Sequence, residues 1–211
     1  MNATSKPASR RNKSAAGSFF HAVVIGGSMT GLLAARALCD YFEHVTIIER
    51  DQFSKRPAPR KGVPQARHLH ALLNRGLRIL KCFFPGIQDE LVAHGALVID
   101  MANDMTWLTP AGWAINFDSG ISIMGCSRDL LEWCVRRQLN ALPQIRILGG
   151  CDMRGLIASD EPIRIQGVHV QRCHRACLAA AVRASNGLRD VSIGCRSPRG
   201  SQCALGDAVV D

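Results

Sequence analysis

The sequence is short of the features that mark several protein classes. Its one close group of cysteine and histidine, Cys173, His174 and Cys177, has no second half of the CxxC or HxxxH kind, so no structural metal is expected. The nine cysteines form an odd count with irregular spacing, and five of them (151, 173, 177, 195, 203) crowd the last third. This argues against a closed disulfide framework and for reduced thiols in a cytoplasmic protein. Acidic residues are missing from residues 1–20, which carry Lys6, Arg10, Arg11 and Lys13, and nearly missing from residues 173–203, which set five arginines against Asp190. Each segment contributes +4, so only +1 of the formal charge of +9 belongs to the rest of the chain. No RNA-binding aromatic signature or zinc-finger spacing accompanies either segment, and the excess reads as solvated charge with no nucleic-acid partner.

A long unbroken apolar run is also lacking. Arg10, Arg11 and Lys13 precede a stretch from Ser14 to Ala35 that holds no charged residue apart from His21, in the manner of a signal peptide or membrane span. Gly26-Gly27-Ser28 and Gly31 break it, and it continues directly into Arg36. A buried strand, a glycine turn and a buried helix have the same hydropathy, so stable membrane insertion is not expected. At 47% hydrophobic and 20% charged, the 211 residues have an ordinary globular composition, enough for one domain or for one and part of a second.

Residues 1–20 read as a disordered basic tail. From His21 to Ile25 runs a short apolar segment suited to a strand buried on both faces, followed by the glycine turn. Met29 to Cys39 is rich in good helix formers, and Val45 to Ile48 is a second β-branched run, which together make a βαβ unit. Residues 51–66, with three prolines, one glycine and many charges, read as a long surface loop. The spacing of Leu69, Leu72, Leu73, Leu77 and Leu80 predicts a helix from Arg67 to about Cys82. Further expectations are a short helix over Gln88–His94, strands over Ala96–Asp100 and Ile121–Gly125, a helix capped by Ser127, and a strand over Ile145–Leu148. Beyond Cys151 the pattern weakens: Pro162–Val170 is expected to be extended, Ala176–Ala184 a short helix, and Ala208–Asp211 a buried strand.

A dinucleotide pyrophosphate needs backbone N–H groups and a helix N-terminus brought close, which demands small residues where strand becomes helix. Gly26, Gly27, Ser28 and Gly31 meet that demand, with Ser28 where the second glycine of G-x-G-x-x-G belongs. Ser is small, and its hydroxyl can donate to phosphate. Glu49 lies 18 residues beyond Gly31, at the end of the second strand, where a carboxylate can accept from a ribose diol and repel a 2′-phosphate. His68 and His70, two apart on the expected helix, would point to nearly opposite sides and could not share a metal.

Four segments in order, Val23–Leu32, Val45–Asp51, Arg60–His70 and Ser127–Trp133, resemble the N-terminal half of the class A flavoprotein monooxygenases, the third being most similar to the epoxidase-type branch. The resemblance covers about residues 20–170 and resumes at 205–211. It implies an α/β fold: a Rossmann-like FAD-binding domain with a central parallel sheet, truncated before the substrate domain is complete. In that division residues 21–170 are the FAD domain with part of the substrate-side insertion, 171–203 an irregular Arg/Cys-rich segment, and 204–211 a final strand. It further implies that Gly26, Gly27, Ser28 and Gly31 line the FAD pyrophosphate, Glu49 the adenosine ribose and Arg50 the adenine side. Arg128 would reach the flavin ribose or phosphate, Met153 would offer backbone contacts to adenine, and Arg60 would be a further cofactor contact.

In such a family NADH or NADPH is the transient reductant, oxygen the co-substrate and a small molecule the substrate. The expected function is an FAD-binding oxidoreductase resembling a hydroxylase or epoxidase, incomplete and weakly active or inactive. No catalytic residue is assigned, no metal is expected, and the oligomeric state is not legible. The alternatives are an NAD-dependent dehydrogenase-type Rossmann protein and a non-catalytic dinucleotide-binding remnant.

Overall fold

The computed structural model describes residues 19–68, 70–159, 164–172, 179–183, 195–196 and 202–203. It opens with strand β1 (Phe19–Ile25), helix α1 (Met29–Leu38) and strand β2 (Phe42–Glu49), with β1 and β2 parallel and paired from Phe19↔Phe42 to Ile25↔Ile48. A 3-10 turn over Pro64–Arg67 leads to β3 (His70–Leu72), α2 (Asn74–Phe83), α3 (Ile87–Ala93) and β4 (Leu97–Asp100). The hairpin β5 (Leu108–Thr109) and β6 (Gly112–Trp113) precedes β7 (Ser122–Cys126), α4 (Arg128–Asn140) and β8 (Ile145–Gly149). Then come β9 (Cys151–Ser159), β10 (Arg164–Arg172), β11 (Ala179–Arg183), β12 (Cys195–Arg196) and β13 (Gln202–Cys203).

Strand β2 lies between β1 and β8 in a parallel sheet. Its side chains alternate between two faces with the period of two that a strand imposes. Val45 and Ile47, with Ala22 and Val24 of β1, face a core built from Leu32 and Ala35 of α1 and Leu131, Cys134, Val135 and Leu139 of α4. Ile48 faces the other way, where it joins Cys151, Val168 and Val170 under partial cover from Val23, Leu148 and Met153. Helices therefore cover one face of the parallel sheet, and strands β9 and β10 of the antiparallel sheet cover the other at the end of β2. His21 and Thr46, polar residues inside this sandwich, bond to each other, Nε2 to Oγ1 at 2.9 Å, as burial requires.

Three expectations are corrected. The helix expected over Arg67–Cys82 begins only at Asn74, because His70–Leu72 pair as β3 with Met124–Cys126 of β7. The histidines therefore lie off any helix: His68 follows the 3-10 turn, and His70 opens β3 with its Nδ1 2.7 Å from the His68 carbonyl. Residues 151–159, without an assigned element from the sequence, form the longest ladder with β10. Within Ala176–Ala184, Ala179–Arg183 is a strand paired antiparallel to Gly167–Gln171, so tertiary pairing overrides the helix propensity of its alanines. The tail expected over 1–20, except Phe19 and Phe20, and the strand expected over 208–211 lie outside the described residues. Among the described residues no helix is long and apolar enough to cross a membrane.

Helix α4 starts as expected at its serine, whose Oγ accepts from the Leu130 N–H at 3.1 Å. Ser127→Ala is expected to cost about 1 kcal/mol, read as a lower urea midpoint with unchanged slope, and Ser127→Asp to retain most of it.

Candidate functional site

The parallel strands β1, β2 and β8 end together, and the turn after β1 is tied to the end of β2 at two points. The Gly26 N–H donates to the Ile48 carbonyl at 2.8 Å, and the Gly27 N–H donates to Glu49 Oε2 at 2.7 Å. Gly26 adopts a φ of +98°, so the turn reverses without strain. A Cβ on Gly31 would collide with the Gly26 carbonyl oxygen, so only glycine lets α1 close onto the turn. A Cβ on Gly27 would lie 2.6 Å from Phe53 Cζ and 3.1 Å from Glu49 Cβ. A side chain at position 27 would thus force Phe53 and Glu49 to shift, independently of any phosphate.

Ser28 is the N-cap of α1 at φ −83° and ψ 179°, an extended conformation open to any residue, and its side chain makes no capping hydrogen bond. The departure from glycine therefore strains nothing and leaves a hydroxyl beside the unpaired N–H groups of the first helical turn. Glu49 is buried and accepts from the Gly27 and Asp51 N–H groups, at 2.7 Å on Oε2 and 2.9 Å on Oε1. A carboxylate has about four lone-pair sites, so one on Oε1 remains for a ligand hydroxyl.

Arg60 is drawn into the same place from the loop after β2. Its side chain is 6% exposed, with Nη1 3.5 Å from Glu49 Oε2 and 3.6 Å from Asp51 Oδ2. Its Nε donates to Glu132 Oε1 at 2.9 Å, Nη2 donates to the same oxygen, and Nη2 also donates to the Gly27 carbonyl at 3.3 Å. The guanidinium lies 5.0 Å from the centre of the Phe53 ring, which Arg136 approaches at 4.5 Å. Burial lowers the Arg136 guanidinium from its usual range; Glu132 opposes that shift and Arg60 adds to it.

The loop is stapled to α4 along its length. Besides Arg60 on Glu132, the Trp133 indole N–H donates to the Lys55 carbonyl at 2.9 Å and Arg136 to the Ser54 carbonyl at 2.8 Å. The Gly62 N–H closes the loop on Asp51 Oδ2 at 2.6 Å. Arg128, the first residue of α4, has its Nε 3.9 Å from Glu132 Oε2, and both atoms are buried without a hydrogen-bond partner among the described residues.

The structure therefore brings Gly26, Gly27, Ser28, Gly31, Glu49 and Arg60 together and links Arg128 to them through Glu132. Arg50 stands apart: its side chain is 64% exposed, and its Nε lies 4.0 Å from the Asp51 carboxylate. Met153 lies on β9 opposite Val170, packed near Ile48 and so beside the end of β2. Glu132, Asp51 and Phe53 are site residues that sequence reasoning missed. The signal for Glu132 was an acid four residues after Arg128 and adjacent to the apolar stripe of α4. Among the described residues no group of three or more potential ligands has metal-binding geometry; Cys173, His174 and Cys177 lie outside them.

A buried ion pair that loses one partner leaves the other charge uncompensated, at a cost of about 3–5 kcal/mol. Arg60→Met is expected to destabilise the chain by that amount in urea unfolding, and Glu132→Gln, which keeps an acceptor for the guanidinium, by clearly less.

No family model matches the chain. It is 39% identical over 132 residues to Protein Rv3254 of Mycobacterium tuberculosis, covering 61% of this chain and 28% of that protein. The structure is similar to PqsL of Pseudomonas aeruginosa, described as a probable FAD-dependent monooxygenase, with TM-score 0.51, 13% identity, and 72% of this chain and 38% of that chain covered. It is also similar to the flavin-dependent monooxygenase PieE, solved with FAD and substrate, with TM-score 0.50, 17% identity, and 73% of this chain and 27% of that chain covered. The chain thus spans well under half the length of each of these proteins. Over about 72% of its residues it has the fold of the FAD-dependent monooxygenases, as its resemblance to the class A flavoproteins implies.

Proposed function

We propose that this chain binds FAD in the service of a monooxygenase-type oxidation. The observation that carries the reading is the 2.7 Å bond from Gly27 to Glu49, which joins a glycine turn, a helix N-terminus and a ribose-accepting carboxylate into one constellation. The residues fit the cofactor. The α1 N-terminus and the uncapped Ser28 hydroxyl supply donors for a pyrophosphate, and Arg128 supplies a cation whose Nε has no hydrogen-bond partner among the described residues. Glu49 keeps an acceptor site for the adenosine ribose, with Met153 backbone and Arg50 toward the adenine. FAD, when bound, supplies the redox chemistry with oxygen, and NADH or NADPH is the proposed reductant. This chain's residues hold and orient it, and no side chain is assigned to proton transfer. The substrate is a small molecule, and the reduced thiols suit the cytoplasm. Among the described residues Cys39, Cys82, Cys126 and Cys134 are free thiols, and burial pushes the Cys134 thiol up to about 12.

The full chain, reconstituted with excess FAD and desalted, is expected to retain about one flavin per chain by its visible absorbance. Retention of a nicotinamide nucleotide and no flavin would instead favour a dehydrogenase-type protein, and loss of both would sink the reading. Glu49→Gln is expected to weaken FAD about 10- to 100-fold in a fluorescence-quenching titration, the worth of one charge-assisted hydrogen bond.

A further inference from the structure

Arg60 is the most fully engaged side chain near the glycine turn. Its edge is shared among Glu132, the Gly27 carbonyl, Glu49 and Asp51, and Phe53 covers one of its faces. A guanidinium has five N–H donors. Two are directed at Glu132 and one at Gly27, while Nη1 lies at ion-pair distance from two carboxylates, 3.5 Å from Glu49 Oε2 and 3.6 Å from Asp51 Oδ2. Each of the three guanidinium nitrogens thus already faces an acceptor of the protein itself. At 6% exposure the group also could not reach a phosphate without abandoning Glu132, itself 6% exposed at the side chain.

What the arrangement accomplishes is different. Glu49 would have to present one defined lone pair to a ribose diol, yet its carboxylate sits at the end of a strand beside a second acid, Asp51. Two carboxylates this close repel each other unless a cation holds them. Arg60 supplies that cation from a loop, and a loop residue is rigid only if something rigid holds it. Glu132, buried on α4, is that holder. Trp133 and Arg136 fasten the same loop to the same helix through the Lys55 and Ser54 carbonyls.

We propose that Arg60 and Glu132 are a positioning pair: they set the orientation of the Glu49 carboxylate for a ribose diol, and Arg60 makes no contact with the phosphates of the ligand. The proposal rests on the ribose role given to Glu49 above. It assigns the phosphates to the α1 N-terminus, Ser28 and Arg128.

The test uses ADP and 2′,3′-dideoxy-ADP as probes, titrated calorimetrically into the full chain and into its Arg60→Lys and Glu132→Gln variants, each checked for native circular dichroism. Lysine keeps the charge at position 60 but cannot fork between acceptors. Wild type is expected to prefer ADP over the dideoxy nucleotide by about tenfold or more, the worth of a hydrogen bond to a charged acceptor. Arg60→Lys is expected to reduce that preference to less than about twofold, and Glu132→Gln to shift it in the same direction. If both variants weaken the two nucleotides equally and keep the preference, the pair is merely structural or Arg60 is a phosphate contact, and the proposal is overturned. If Arg60→Lys does not fold, retention of the full preference by Glu132→Gln overturns it alone. Wild type that binds both nucleotides equally removes the ribose role of Glu49 and this proposal with it. Wild type that binds neither removes the dinucleotide reading itself.

Discussion

A buried guanidinium surrounded by three carboxylates organises the candidate site. Among the described residues Arg60 is the only charge of its sign in contact with Glu49, Asp51 and Glu132 together; Glu49 and Asp51 come from the end of β2 and the residues just after it, and Glu132 comes from α4. Glu49 and Asp51 accept backbone N–H groups of their own, but Glu132 has no reason to lie inside without Arg60, since burying an unpaired carboxylate is costly. Taken together they close a circuit. The end of β2 is held to the glycine turn, the turn to Arg60, Arg60 to α4, and α4 to the core below the sheet through Leu131, Cys134 and Val135. The glycine motif is then one side of a cage whose other sides are a loop and a helix far away in sequence.

Much of the fold was legible because it is local. The run from His21 to Ile25, the helix formers after Met29 and the β-branched residues before Glu49 each declare their state within a few residues, and the parallel pairing of β1 with β2 follows from the helix between them. Ser127 announced the start of α4 in the same way. The failures came where a long-range partner decided the outcome. Leu72 reads as part of a helical leucine stripe but is held in β3 by Met124, more than fifty residues away. The alanines from Ala179 would prefer a helix, and β10 makes them a strand. The segment from Cys151 to Ser159 carries two charges and a glycine, too mixed for a clear alternation, and owes its form to the ladder with β10.

The site divides along the same line. Gly26, Gly27, Ser28, Gly31 and Glu49 were legible as a group because the motif and its spacing encode a local geometry, and the structure brings them together; the bond from the Gly27 N–H to the Glu49 carboxylate was not foreseen. Arg60 was visible as a residue but not as a role, since nothing in its neighbourhood foretells the path of a proline-rich loop. Glu132 was hidden for the opposite reason. On a helix with an apolar stripe an acid looks like part of the wet face, and only the arrival of Arg60 explains why it is inside.

One consequence follows from the place of β2. Its residues supply both clusters, Val45 and Ile47 to the one beneath the helices and Ile48 to the one beneath β9 and β10, and its backbone is paired on both edges, to β1 and to β8. Neither layer can peel away without uncovering this strand, so the two layers share a common fate in unfolding. The amide protons of β2 should accordingly exchange with solvent only through global opening, and the Glu49 carboxylate at its end is carried by a strand held on both edges and both faces.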